Sequence, residues 1–280
     1  MTSNDYRNPL DDLSTSAADI ADALASTVAH VDMPAPADDV VTLPSRSILD
    51  GRELRAARVR ELTGEHEEEL ARAAATGHSE RLVDALLKCG VVEVEGLEAT
   101  PLLLDRLTIG DRDALILGIR RVTFGDSIRY DRYRCPGCRE DFALTVGLEE
   151  IPVKTATGPS DDTYTIALRK GGHVKARALI GADQKTVLSS TRTDRLNIAE
   201  QNTLLLSRSV ISIHRPGHSD LAVRGETGPV RSLSMPDRQR ILAELDKLRY
   251  GPRYDQVPVH CTACGHDGTL AVTVEALFRE

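Results

Sequence analysis

Four of the five cysteines stand in two Cys-x-x-Cys pairs, Cys135-Pro136-Gly137-Cys138 and Cys261-Thr262-Ala263-Cys264. Such a turn aims two sulfurs at one point while nearby backbone N–H groups stabilise the thiolates. Zn2+ takes four tetrahedral ligands, and thiolates are its commonest structural choice. One turn supplies two ligands, and the other turn of the same chain is the natural completion. The spacing therefore predicts one Zn2+ per chain, held by Cys135, Cys138, Cys261 and Cys264. Four thiolates leave no open coordination position, so this zinc would be structural and not catalytic. Two other completions stay open: His260 or His266, beside the second pair, as a ligand, or separate zincs shared across a homodimer. Arg134 and Glu140 occupy the matching places of the first pair, which makes the four-cysteine set the simpler one. A thioredoxin-like role fits poorly, because that motif opens a helix.

The two pairs align without a gap at an offset of 126 residues, and their surroundings align too. Leu107, Asp111, Arg112 and Gly125 match Leu233, Asp237, Arg238 and Gly251. Asp141, Leu144, Val146 and Glu149 match Asp267, Leu270, Val272 and Glu275. That is ten identities in the 45 positions from 107 to 151, where composition alone gives roughly three. The chain reads as a duplicated module, each copy bringing half of the metal site near a pseudo-twofold axis.

Elements must position these turns. In the first copy Leu115, Ile116, Ile119 and Val122 share one helical face, with Asp111 as the cap and Gly125 as the stop. In the second copy Ile241, Leu242, Leu245 and Leu248 repeat that face, with Asp237 and Gly251 in the same roles. Period 3.6 then gives way to period 2. Ile128 and Tyr130 precede the first pair, and Phe142, Leu144, Val146 and Leu148 follow it. Val257 and Val259 precede the second, and Leu270, Val272 and Val274 follow. Each copy thus closes on a β-hairpin with Cys-x-x-Cys at its tip. Upstream, a short strand region and turn occupy 49–64, a polar helix 65–75, a more apolar helix 82–87 and a short strand 91–94. The fold class is α+β, as two tandem pseudo-symmetric modules sharing one zinc-ribbon-like site. Module one spans 45–151 and module two 166–280, joined by a linker at 152–165. Residues 1–44 read as a flexible acidic arm. Within it Leu13, Ala17, Ile20, Leu24 and Val28 fall on one helical face, so the alternative is an amphipathic helix that docks on a partner.

Composition narrows the class. Apolar residues make up 41% and aromatics 3%, with no Trp, so the cores are aliphatic. A net charge of −8 argues against nucleic acid as the main partner. Paired cysteines in this number fit a reducing compartment better than a disulfide framework. No basic-then-apolar leader and no run of about 20 apolar residues is present, which places the expected site of action in the cytoplasm. The fifth cysteine, Cys89, sits among Leu86, Leu87, Val91 and Val92 as a small apolar residue. His214, His218 and Asp220 have a spacing that could hold a metal but lie in a Pro-Gly loop. Lys170-Gly171-Gly172-His173 reads as a turn between strands. The Asp111-Arg112 and Asp237-Arg238 pairs suggest an ion pair between modules. There is no nucleotide-binding glycine loop and no nucleophile elbow, so the chain is not expected to be an enzyme.

The run from Leu107 through Gly125, followed ten residues later by Cys-Pro-x-Cys, resembles the baseplate hub assembly chaperones of the T-even phage type, also found in contractile injection systems. Val59-Arg60-Glu61-Leu62-Thr63-Gly64 is similar to that family's early segment. The resemblance implies a non-enzymatic role in assembling or joining the hub of a contractile tail baseplate, with hub or wedge proteins as partners. Pro236 stands where the first copy has Gly110, and Asp246-Lys247 replaces Arg120-Arg121, a departure that suggests a different partner surface on the second copy. The competing class is a zinc-ribbon adaptor in transcription or RNA handling.

Overall fold

The computed structural model describes residues 38–278. The amphipathic stretch from Leu13 to Val28 lies outside the described residues. The fold mixes helices and strands in an α+β arrangement. An antiparallel sheet carries, in spatial order, Asp38–Thr42, Ala56–Arg60, Val91–Val94 and Leu97–Glu98. A second antiparallel sheet carries Thr163–Ala167, His173–Arg177, Val210–His214 and Leu221–Ala222. In both, two helices separate the second strand from the third: Gly64–Ala74 and Ser79–Gly90, then Gly181–Thr193 and Ile198–Ser209. In both sheets the register shifts between the second and third strands, opposite Arg58/Val59 and opposite Lys175/Ala176, where the third strand carries the extra residue. Each is followed by a short helix (Pro101–Arg106, Thr227–Arg231), a long helix (Ile109–Phe124, Met235–Leu248) and a hairpin.

Asp38–Thr42, assigned from sequence to the arm, is the edge strand of the first sheet. Its Val41 packs against Gly118 of the long helix, where a Cβ would overlap the valine methyl. The stretch taken as a linker is laced into both halves. Val153–Lys154 pairs with Gly251–Pro252, Ser160 bridges to Ser47, and Thr163 already opens a strand.

The long helices start three residues earlier than the Asp caps imply. Thr108 caps the first, its hydroxyl accepting from the Asp111 N–H, and Ser234 caps the second in the same way. Both aspartates sit in the first turn and reach across to a loop. Asp111 accepts from the Ser45 N–H at 2.9 Å, and Asp237 from the Arg169 N–H at 2.9 Å. Gly125 ends the first helix with φ 81°. Gly251 does not end the second, which closes at Leu248 with Arg249 as its cap; Gly251 belongs instead to the short ladder with Lys154.

Two cores result. The smaller comprises Ile166, Val174, Ala176, Leu206, Val210, Ile213 and Ile241 with their neighbours. The larger is built on Leu54, Val59, Leu86, Val91, Leu115 and Ile119, and it also takes in Val257, Val272 and Leu277. The closing hairpin of the second half therefore packs on the core of the first.

Candidate metal centre

Each knuckle sits at the tip of a hairpin. Ser127–Arg134 pairs with Asp141–Gly147, and Val257–His260 with Asp267–Leu270. Alternation fixes which way they face: Ile128, Val146, Val257 and Val259 are buried, while the residues between them look outward. The tips fold alike. The Cys135 N–H donates to the Glu140 carbonyl at 2.9 Å, and the Arg139 N–H to the Cys135 carbonyl at 2.9 Å. In the second tip Cys261 and His266 repeat the first bond at 2.9 Å, and Gly265 and Cys261 the other at 2.8 Å. Both turns need a left-handed residue after the second cysteine, Arg139 at φ 65° and Gly265 at φ 72°.

The hairpins bring all four sulfurs together. Cys135 Sγ lies 3.7 Å from Cys264 Sγ, and Cys138 Sγ lies 3.8 Å from Cys261 Sγ. All four lie within 4.8 Å of one another, an arrangement compatible with a single zinc site. These are not disulfides, whose sulfurs sit about 2.05 Å apart. Cys135 and Cys261 are buried, and Cys138 and Cys264 lie on the solvent side. The Cys138 and Gly137 N–H groups hold the Cys135 thiol down to about 6. The Glu140 N–H pulls Cys138 in the same direction, but burial and the crowding sulfurs outweigh it and push that thiol up to about 12. Without a cation the cluster tolerates negative charge on one sulfur and resists it on the next.

His260 and His266 stay outside this group. His260 Nδ1 faces Asp267 at 2.7 Å in solvent. The His266 ring lies over Gly137, where a Cβ would sit 3.0 Å from it. The His214 loop does not converge either: His214 Nδ1 meets Asp220 at 2.6 Å, while His218 Nδ1 turns back to the Pro216 carbonyl at 3.0 Å. Cys89 is buried, and desolvation pushes its thiol up to about 11.

The repeated arginines act within their own halves, not as an ion pair between them. Arg112 donates to the Leu104 carbonyl and Asp84, and Arg238 donates to the Val230 carbonyl and the Thr203 hydroxyl. Ion pairs between the halves come instead from residues that sequence reasoning passed over: Arg192 with Glu80 at 2.5 Å, Arg249 with Asp113 at 3.4 Å, and Lys185. Lys185 reaches Asp84 at 2.7 Å and Asp105 at 2.5 Å, the same carboxylates that Arg112 holds. A second seam runs from Asp111 through the Ser45 and Ser47 hydroxyls to Asp162. Burial raises the Asp162 carboxyl to about 6. Isolated Lys, Ser and Asp codes carry no signal for either seam.

Fold and site describe an α+β protein whose two halves meet at a four-cysteine cluster. The family model described as "T4 bacteriophage base plate protein" matches residues 42–279, and the chain belongs to that family. No curated protein and no solved structure matches this chain. Among the described residues no helix is long and apolar enough to cross a membrane.

Proposed function

We propose that this protein is a zinc-clasped, non-enzymatic component or assembly factor of a contractile-tail baseplate, binding hub or wedge proteins. The family match supplies the baseplate. The observation that carries the clasp is the sulfur geometry. Four thiolates at about 2.3 Å around a tetrahedral zinc lie about 3.8 Å from one another, and two pairs here stand at 3.7 and 3.8 Å. The ion would neutralise the thiolates and bond the tip of one half to the tip of the other. The ligands are Cys135, Cys138, Cys261 and Cys264, one zinc per chain.

The same reading makes the chain an internal duplication, with modules at 45–151 and 166–280. It is supported by the like order of elements, the matched bulges and the shared Asp and Arg contacts. The protein would act in the cytoplasm of the bacterial host and join the tail or leave it after assembly. Against a nucleic-acid ribbon stands the pairing of two hairpin arginines, Arg129 with Asp131 and Arg132 with Asp141.

Native mass spectrometry of the protein from lysate of its producing cells tests both parts. One zinc per chain, lost in Cys135→Ser and in Cys261→Ser alike, with a hub or wedge protein attached, is expected. Zinc found only in dimers, or absent, overturns the clasp. Copurifying nucleic acid in place of baseplate proteins overturns the assembly role.

A further inference from the structure

The helix Gly64–Ala74 has an apolar side and a charged side, yet none of its residues is buried. Amphipathic helices normally bury their apolar stripe. Here Leu70 stays half-buried and, with Leu62, Leu82, Phe124, Val274 and Phe278, lines an open groove of about 920 Å3. Phe124 is 40% exposed in its wall. The groove runs beside a helix of 11 residues, which makes it about 16 Å long.

Charge distinguishes its rim. Glu67 is the one charged side chain among the residues lining the groove. Glu65 and Glu68 stand exposed on the same helix. None of these three glutamates has an ion-pair partner among the described residues, whereas Glu69 is held by Lys88 at 2.8 Å. The Arg120 guanidinium lies 5.0 Å from the centre of the Phe124 ring, but it and Arg121 already have partners. Arg120 donates to the Gly125 and Ser127 carbonyls, and Arg121 pairs with Asp126. An apolar trough with an uncompensated acidic lip selects a partner with an apolar stripe and adjacent cations.

We propose that this groove docks a basic amphipathic helix of another baseplate protein, its apolar stripe against Leu70 and Phe124 and its Lys or Arg side chains beside Glu67. The chemistry of the groove stands alone; the baseplate origin of the helix rests on the function proposed above.

The test titrates the zinc-loaded full chain into a fluorescent synthetic helix of about 16 residues, with Leu at i, i+3, i+4 and i+7 and Lys on the flanks. A twin peptide carries Glu in place of every Lys. Anisotropy is read at low and high salt. The Lys peptide is expected to bind at least about 10-fold tighter than its twin at low salt, and the gap should narrow at high salt. Leu70→Asp should abolish binding, and the double change Glu67→Lys with Glu68→Lys should reverse the preference without touching the core. Leu102→Asp, on the separate Pro101–Arg106 helix, should change nothing. Equal binding of both peptides, no binding, or binding that survives Leu70→Asp in a folded variant overturns the proposal. So does self-association abolished by that same variant, which would assign the groove to a second copy. If the Lys peptide binds but peptides tiling the hub and wedge proteins do not, the groove stands and its baseplate partner falls.

Discussion

The two long helices share a cap, a first-turn aspartate, an arginine and an apolar face, yet they live in different surroundings. Ile109–Phe124 buries nine residues, among them Asp111, Arg112 and Arg120. Met235–Leu248 buries only Asp237 and Ile241. The first helix lies between its own sheet and the closing segment of the second half. Gly110 touches the Tyr250–Gly251 backbone, and the Tyr254 hydroxyl donates to the Asp113 carbonyl at 2.7 Å. The second helix packs on the helix Ile198–Ser209 and turns Ile241 into the smaller core, and Pro236, at the place of Gly110, is exposed. Like sequence patterns therefore serve as the centre of the molecule in one half and as its surface in the other. The differences between the two patterns fall where the coverage differs.

Truncation should expose that difference most strongly. Ile119→Ala removes a fully buried side chain and should cost about 3–4 kcal/mol, while Leu245→Ala, half-buried at the aligned place, should cost about 1 kcal/mol. Urea unfolding of both variants measures the ratio. Equal losses would mean that the second helix is covered in solution.

Crowding tests the crossing itself. Gly110→Ala drives a methyl into the Tyr250 carbonyl and should cost about 2–3 kcal/mol. Pro236→Ala should stay within about 0.5 kcal/mol. A neutral Gly110→Ala would show that the Tyr250–Gly251 segment moves aside freely.

The smallest contrast is electrostatic. Asp113 faces Arg249 of the other half, whereas Gln239 at the aligned place is neutral and exposed. Burial raises the Asp113 carboxyl from 3.8 to about 6, more than the Arg249 and Arg112 charges lower it. A folded pKa above the unfolded one adds stability below pH 3.8, and that increment is lost as pH rises through about 6. Asp113→Asn should therefore gain about 1–2 kcal/mol on the parent between pH 4 and pH 7. Asp162 titrates in the same window, so the slope should shrink and not vanish. A variant–parent difference that does not grow with pH over that window would refute the burial of Asp113. Gln239→Asn, as control, should leave the curve unchanged.

Much of this was legible because it is local. The knuckles, the hairpins and the apolar faces of both long helices follow from spacing within ten or twenty residues. The helix starts are less legible, because a first-turn aspartate carries the same cap signal as Thr108 and Ser234, whose hydroxyls do the capping. The strand Asp38–Thr42 was hidden behind the Pro-rich stretch before it, since five residues with two aspartates at their head make no strand signal until a partner strand is known. Gly251 looked like a helix stop by alignment alone; its left-handed φ of 107° serves the crossing with Gly110 instead.

The sequence by itself determined the ligand chemistry, four thiols in two turns, and the secondary structure that carries each turn, since capping, periodicity and turn geometry act over a few bonds. It also carried the resemblance to the baseplate family. Tertiary structure decided which half became the core, that the second hairpin packs into that core, and that Lys185, Arg192 and Arg249, and not Arg112 or Arg238, pair across the halves. It also left the trough beside Gly64–Ala74 open. Those outcomes depend on which surfaces meet across more than a hundred residues of chain, and two like local patterns cannot say which of them will be covered.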